Sequence, residues 1–198
     1  MTHDADLLIQ DTAFENYVKI PSWIVDGYST LMVEIDEQLQ EQADVIVCPV
    51  GVGSLAHAVI SHSKMKGRST AVLAVEPDSA ACLNSSLRAG KSISIHTSHT
   101  ILTGMNCGTV SLSAWPILEA GVDISTTVSD YEVHIEIQYL RSIGIEAGPC
   151  GAAPLAALKY VARTDRKCLG LNKDSIVVLI CTEGSRDYQI PLGRSENF

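Results

Sequence analysis

Apolar residues along this chain gather into short unbroken runs, and between them lie stretches with helical spacing. Val45 to Val50 and Ala71 to Val75 are continuous apolar runs, as are Asp123 to Val128 and Ser175 to Cys181 apart from their polar positions, and Leu7-Leu8-Ile9 reads as a short strand ending at Gln10-Asp11-Thr12. Pro21-Ser22-Trp23 opens a predicted helix that carries Ile24, Tyr28, Leu31, Ile35 and Leu39 on one stripe. Further helices are expected from Ser54 to about Lys66, from a cap at Asp78 or Ser79 to Gly90, and from a cap at Ser113 to Gly121. Ser129-Asp130-Tyr131-Glu132 has the form of a capping box and predicts a helix from Asp130 to Ile143, and the glycine-rich turn Glu146 to Ala153 should lead into a last helix to about Val161. Strands that are apolar at every position are buried on both faces. Their alternation with helices predicts a three-layer α/β/α sandwich around a mostly parallel sheet. No internal repeat is visible, and 198 residues are enough for one core, so residues 1–198 read as a single α/β domain.

In such sheets ligands gather beyond the carboxyl ends of the strands. Asp11, Gly51 to Ser54, Glu76 and Thr182 to Gly184 each follow a predicted strand directly. Gly51-Val52-Gly53-Ser54 is the most suggestive of these segments, because a strand, a tight glycine turn and a helix N-terminus place free N–H groups and the positive end of the helix dipole at one spot. The glycines would let an anion approach the backbone, although they would equally suit a turn needed only for close strand–helix packing. Asp11 would otherwise be a turn residue. Residues 91–110 are polar and without period, so they form either a functional or a loosely ordered loop, and Met105-Asn106-Cys107 within it could line a pocket or simply turn the chain.

A net charge of −9 argues against nucleic-acid or anionic-membrane binding as the main activity, while leaving room for a small anion held by backbone N–H groups. The longest apolar region, Val45 to Ile60, contains Pro49 and two glycines and is too short and broken for a membrane span. Residues 1–6 lack the basic and apolar parts of a secretion signal, so a cytoplasmic protein is expected, with its six cysteines reduced. Neither those cysteines nor the six histidines show metal-ligand spacing, and no metal site is expected.

Several stretches, in order, resemble the tryptophan-synthase-β-like (fold type II) pyridoxal-phosphate enzymes and, among them, the diaminopropionate ammonia-lyase family. They are Gln10 to Tyr17 with Ile20 to Ile24, Gly51-Val52-Gly53, Val75-Glu76-Pro77-Asp78, Thr103 to Gly108, Gly148 to Ala152, Leu171 to Asp174, and Thr182-Glu183-Gly184. The resemblance implies that Gly51, Val52, Gly53 and Ser54 hold the phosphate of pyridoxal 5′-phosphate and that the Thr182 hydroxyl faces its pyridine nitrogen. It implies Asp11 as an acid/base near an amino-acid substrate, in an α,β-elimination of 2,3-diaminopropionate or a related amino acid to pyruvate and ammonia. The family's Schiff-base lysine has no counterpart at Lys19, Lys64, Lys66, Lys91, Lys159, Lys167 or Lys173, because the likeness is to the C-terminal part of the family. The chain alone is therefore expected to be truncated and inactive. The alternatives are a non-catalytic relic, a module that binds phosphorylated ligands, or a structural partner. The partners expected are the amino-acid substrate and either a second copy of the chain or a full-length homologue.

Overall fold

The computed structural model describes residues 8–164 and 168–193. Among these, the regular elements follow one another as α1 (Lys19–Leu39), β1 (Val45–Pro49), α2 (Ser54–Ser63), β2 (Ala71–Pro77), α3 (Cys82–Ala89), α4 (Trp115–Gly121), β3 (Ile124–Val128), α5 (Asp130–Ser142), α6 (Pro149–Thr164) and β4 (Val177–Leu179). The four strands form one all-parallel sheet in the order β3-β2-β1-β4. The expected α/β sandwich is what the chain builds.

The unbroken apolar runs are explained by two cores, one on each face. Val45, Val47, Leu73 and Val75 point to the face covered by α5 and α6, where they pack with Val133, Ile137, Ala153 and Ala157. Their neighbours Ile46, Cys48, Val72 and Ala74 point to the opposite face, where α1, α2, α3 and α4 supply Met32, Val59, Leu83 and Leu118. A residue facing either way along β1 is thus buried, and a polar one would lose its water on both sides.

Connectivity sets where a ligand can enter. From β1 the chain steps to β2 and then β3, with the intervening helices on one face. It then returns across the other face through α5 and α6 to place β4 on the far side of β1. The strand order therefore reverses between β1 and β4, and the crevice beyond their carboxyl ends is the position at which open α/β sheets bind ligands.

Some local expectations are corrected. Leu8 and Ile9 are not in a strand, since the sheet gives them no neighbour. They are 49% and 68% exposed, and their segment is held instead by Tyr17, whose hydroxyl donates to the Leu8 carbonyl at 2.8 Å; Leu7 lies outside the described residues. Neither Asp78 nor Ser79 caps α3. A 3-10 turn spans Asp78–Ala80, and the carboxylate of Glu76 accepts the N–H groups of Leu83 and Asn84, both at 2.7 Å. Ser113 does not cap α4, whose flanking residue is Ala114. The Ser129 capping box is present in full. α2 ends three residues short of the expected Lys66, and Lys64 turns to donate to the Thr70 carbonyl and to Asp123. No helix among the described residues is long and apolar enough to cross a membrane.

Candidate functional site

A cleft of about 300 Å³ opens at the point where the strand order reverses, and it is lined by Asp11, the Gly51–Ser54 turn, Gly104, Cys107, Cys150, Thr182 and Glu183. Tertiary structure thus brings Asp11, Gly51 to Ser54 and Thr182, the residues that the resemblance assigned to cofactor and substrate, to one cleft, while Glu76 is left outside it. β1 ends at Pro49 and delivers the glycine turn to one wall, while β4 ends at Leu179 and delivers Thr182 to the other.

The glycine turn is a donor surface. Among the described residues, the N–H groups of Val52, Gly53, Ser54 and Leu55 have no acceptor, whereas that of His57 donates to the Gly53 carbonyl at 2.8 Å. Free donors at the first turn of a helix, with the dipole's positive end behind them, hold an anion without any side-chain charge. No Lys, Arg or His lines this cleft among the described residues. The two glycines themselves serve packing. A Cβ at Gly51 would lie 2.9 Å from the Gly104 carbonyl oxygen and 3.3 Å from Cys107 Sγ. One at Gly53, which sits at φ +100°, would lie 2.9 Å from Leu118 Cδ2. Their Cβ positions meet neighbouring protein atoms, which is the close-packing role that the sequence reading offered beside anion approach. Ser54 contributes its N–H, because its hydroxyl donates to the Asp11 carbonyl at 3.0 Å.

That bond places Asp11. Its segment is held a second time where the Ala13 N–H donates to Ser111 Oγ at 2.7 Å, and a third time where the Leu112 N–H donates to the Ala13 carbonyl. A backbone tied on both sides leaves the Asp11 side chain to face the cleft. Its charge, added to the effect of burial, helps push the Cys107 thiol up.

The second glycine-rich turn turns out to be a docking seat. Gly148 and Gly151 let the start of α6 approach the chain after β4: a Cβ at Gly148 would collide with the Gly184 carbonyl oxygen, and one at Gly151 would lie 2.7 Å from that of Glu183. Glu183 then takes the helix end. Its carboxylate accepts the Cys150 N–H at 2.5 Å, and its carbonyl accepts the Gly148 N–H at 2.9 Å. One glycine turn is thus occupied by a carboxylate of the same chain, and the other is left open to a ligand.

The thiols around the cleft are poor nucleophiles. Burial, reinforced by the Glu183 charge, pushes Cys150 up to about 11, and burial likewise pushes Cys82 up to about 12. Glu76, a candidate by its position after a predicted strand, is fully buried within β2 as a helix cap, and burial raises its pKa to about 7. The described residues hold no group of three or more potential metal ligands. The loop at 91–110 is anchored rather than loose: Thr100 donates to Asp130 at 2.5 Å, the Ile101 N–H does so at 3.0 Å, and Leu102 and Met105 are buried in the core. Cys150 and Gly104 were not singled out as site residues from sequence, and Glu183 was named only as part of the segment that follows the last predicted strand. The paired small residues at 148 and 151 were the available signal, since a turn that needs two missing Cβ atoms must press against something.

An open α/β sheet with a phosphate-sized donor turn at its switch point belongs to a known class. Residues 4–183 match the family described as pyridoxal-phosphate dependent enzyme, and the chain belongs to that family. It is 32% identical to diaminopropionate ammonia-lyase of Escherichia coli strain K12 over 92% of its length, and 32% identical to serine racemase of Arabidopsis thaliana over 78%. It spans 50% and 47% of those two relatives, so it corresponds to about half of each. Among solved structures it is similar to Escherichia coli diaminopropionate ammonia lyase in complex with an aminoacrylate-PLP azomethine reaction intermediate, with a TM-score of 0.79 and 30% identity over 89% of this chain and 49% of that one. A T.th. threonine deaminase is a second neighbour, with a TM-score of 0.71 and 26% identity over 83% of this chain and 58% of that one.

Proposed function

We propose that this chain supplies the phosphate-and-ring half of a pyridoxal 5′-phosphate site in a carbon–nitrogen lyase acting on 2,3-diaminopropionate or a closely related amino acid. The observation that carries the reading is the row of unengaged N–H groups from Val52 to Leu55 at the open end of α2, in a cleft that Thr182 also lines. Those groups would take the phosphate. A threonine hydroxyl at the ring nitrogen cannot protonate it fully, so the electron sink would be milder than one paired with a carboxylate. When bound, the cofactor supplies stabilisation for the negative charge left as a Cα–H bond breaks. Asp11 would hold or deliver a proton at the substrate, and its tied backbone keeps the carboxyl within the cleft. Elimination of the β-amino group followed by hydrolysis gives pyruvate and ammonia.

The covalent anchor is the part this cleft lacks among the described residues. Lys159 is paired with Glu136 at 2.6 Å, Lys64 with Asp123 at 2.6 Å, and Lys173 lies exposed beside Asp174. An amine that attacks an aldehyde at neutral pH must stand desolvated beside it. No Lys lines the cleft among the described residues, and the catalytic lysine is accordingly assigned outside them. The same lining supports a second reading, a non-catalytic holder of phosphorylated ligands.

Reduction with borohydride separates the two. The purified chain is mixed with pyridoxal phosphate, reduced and mapped by mass spectrometry. We expect reversible binding with no single lysine modified, and pyruvate release from 2,3-diaminopropionate only when the lysine-bearing half of a relative is added. Specific labelling of one lysine, or pyruvate release by the chain alone, would overturn the assignment of the anchor elsewhere. Lack of pyruvate in the complemented mixture would favour the non-catalytic reading.

A further inference from the structure

The structure assigns Glu183 and Arg186 as a positioning pair that holds the ring-facing wall of the cleft, while the phosphate-facing wall has further fastenings of its own. The inference rests on reading the cleft as the cofactor site. Three segments meet at these two side chains. Glu183 follows Thr182 directly, accepts the Cys150 N–H at the start of α6, and accepts Arg186 Nε at 2.8 Å. Arg186 reaches on to the loop before Gly104, donating to the Ile101 carbonyl at 2.5 Å and to Thr103 Oγ1 at 3.1 Å. Thr182, Gly104, Cys107 and Cys150 all line the cleft, and each lies on a segment that this pair ties to the others. Both side chains are partly shielded, at 23% and 31% exposed, so the charge-assisted bonds are only partly screened by water.

A carboxylate suits this place on physical grounds. It meets the positive end of α6, and the missing Cβ atoms of Gly148 and Gly151 let it come close. The guanidinium is needed for its fork, since one Lys ammonium could not serve Glu183 and two acceptors on the 101–103 segment in the same geometry. The opposite wall meets the 104–107 segment at Gly51 and has fastenings that involve neither residue. It is fastened by the Ser54–Asp11 bond and by Gly53 packed on Leu118.

This separation makes the pair testable with two ligands. Pyridoxine 5′-phosphate carries an alcohol in place of the aldehyde and needs no lysine; inorganic phosphate probes the glycine turn alone. In calorimetric titrations of the 198-residue chain, Glu183→Ala and Arg186→Ala should each weaken pyridoxine 5′-phosphate by about tenfold, with phosphate affinity changed much less. Arg186→Lys should rescue little. The double variant should lose no more than either single one, because the pair acts as a unit. Equal losses for both ligands would point to a merely structural bridge and overturn the assignment, as would no loss for either.

If the wild-type chain binds neither ligand, the cofactor reading of the cleft falls. The pair is then judged by amide hydrogen exchange. Faster exchange at Cys150 and across 101–107 in Glu183→Ala, with the Gly51–Leu55 amides unaffected, supports a wall-specific role. Unchanged exchange at those positions overturns it.

Discussion

Gly53 holds a left-handed φ of +100° with its missing Cβ aimed at Leu118 and Ala114, so two separate penalties meet at one residue. Gly53→Ala should cost about 1–3 kcal/mol from backbone strain and overpacking together, measured by urea unfolding. Glu76 makes a second prediction at this scale. Its folded pKa of about 7 stands above the ordinary glutamate value of 4.5, because burial opposes ionisation more than its two backbone N–H donors favour it. Between those values the folded state holds a proton that the unfolded state has released, so stability falls as pH rises through that window and levels off above it. The shift corresponds to roughly 3 kcal/mol, and Glu76→Gln should flatten the decline. Urea midpoints for both proteins at pH 5 and pH 8 check the sign. These residues also mark the limit of what a sequence shows. That Gly53 is special was visible from its place in a turn. That its Cβ direction belongs to α4, far along the chain, was not.

At the scale of elements, the strand–turn–helix unit at β1 and α2 was legible because all its parts are consecutive. Periodicity marks the strand and glycines mark the turn. The capping box of α5 was equally local: Ser129 Oγ accepts the Glu132 N–H, and the Glu132 carboxylate accepts the Ser129 N–H at 2.8 Å. Ser129→Ala should cost about 1 kcal/mol in thermal or urea unfolding while leaving ligand affinity at the cleft untouched. The caps predicted for α3 and α4 failed because any Ser or Asp near a helix start is a candidate, and the choice among them is made by packing. For α3 the choice fell on Glu76, which the sheet carries beneath the helix end. The role of the 148–151 turn was hidden for the same reason, since its partner Glu183 lies on a different element.

At the scale of the molecule, the sheet explains why half of a relative's length can still form a well-packed body. Each face of β1 and β2 is covered by helices of this chain, and the cleft is bounded by its own loops. Other surfaces are less complete. Tyr131, Ile135, Tyr139 and Ile143 are exposed along α5 at four-residue spacing, between 39% and 54% accessible, and Ile145 and Tyr160 are exposed as well. A stripe of that size on a helix surface favours association. The chain is expected to show concentration-dependent self-association in sedimentation velocity, reduced by Ile135→Glu, with thermal stability changed little because the side chain is already half in solvent.

By itself the sequence determined the four strands of the sheet, the helix faces, the parallel α/β class and the donor turn at Gly51–Ser54, because each depends on residues within a few positions of one another. It also read a strand through Leu8 and Ile9 that is not there. Tertiary structure decided which turn stays open. Two glycine-rich turns precede helices here, and the sequence alone did not show what meets each of them. The fold brings Glu183 onto the N-terminus of α6 and leaves that of α2 facing a cleft. A carboxylate 33 residues away from Cys150 satisfies one set of N–H groups, and the other set remains available for a phosphate.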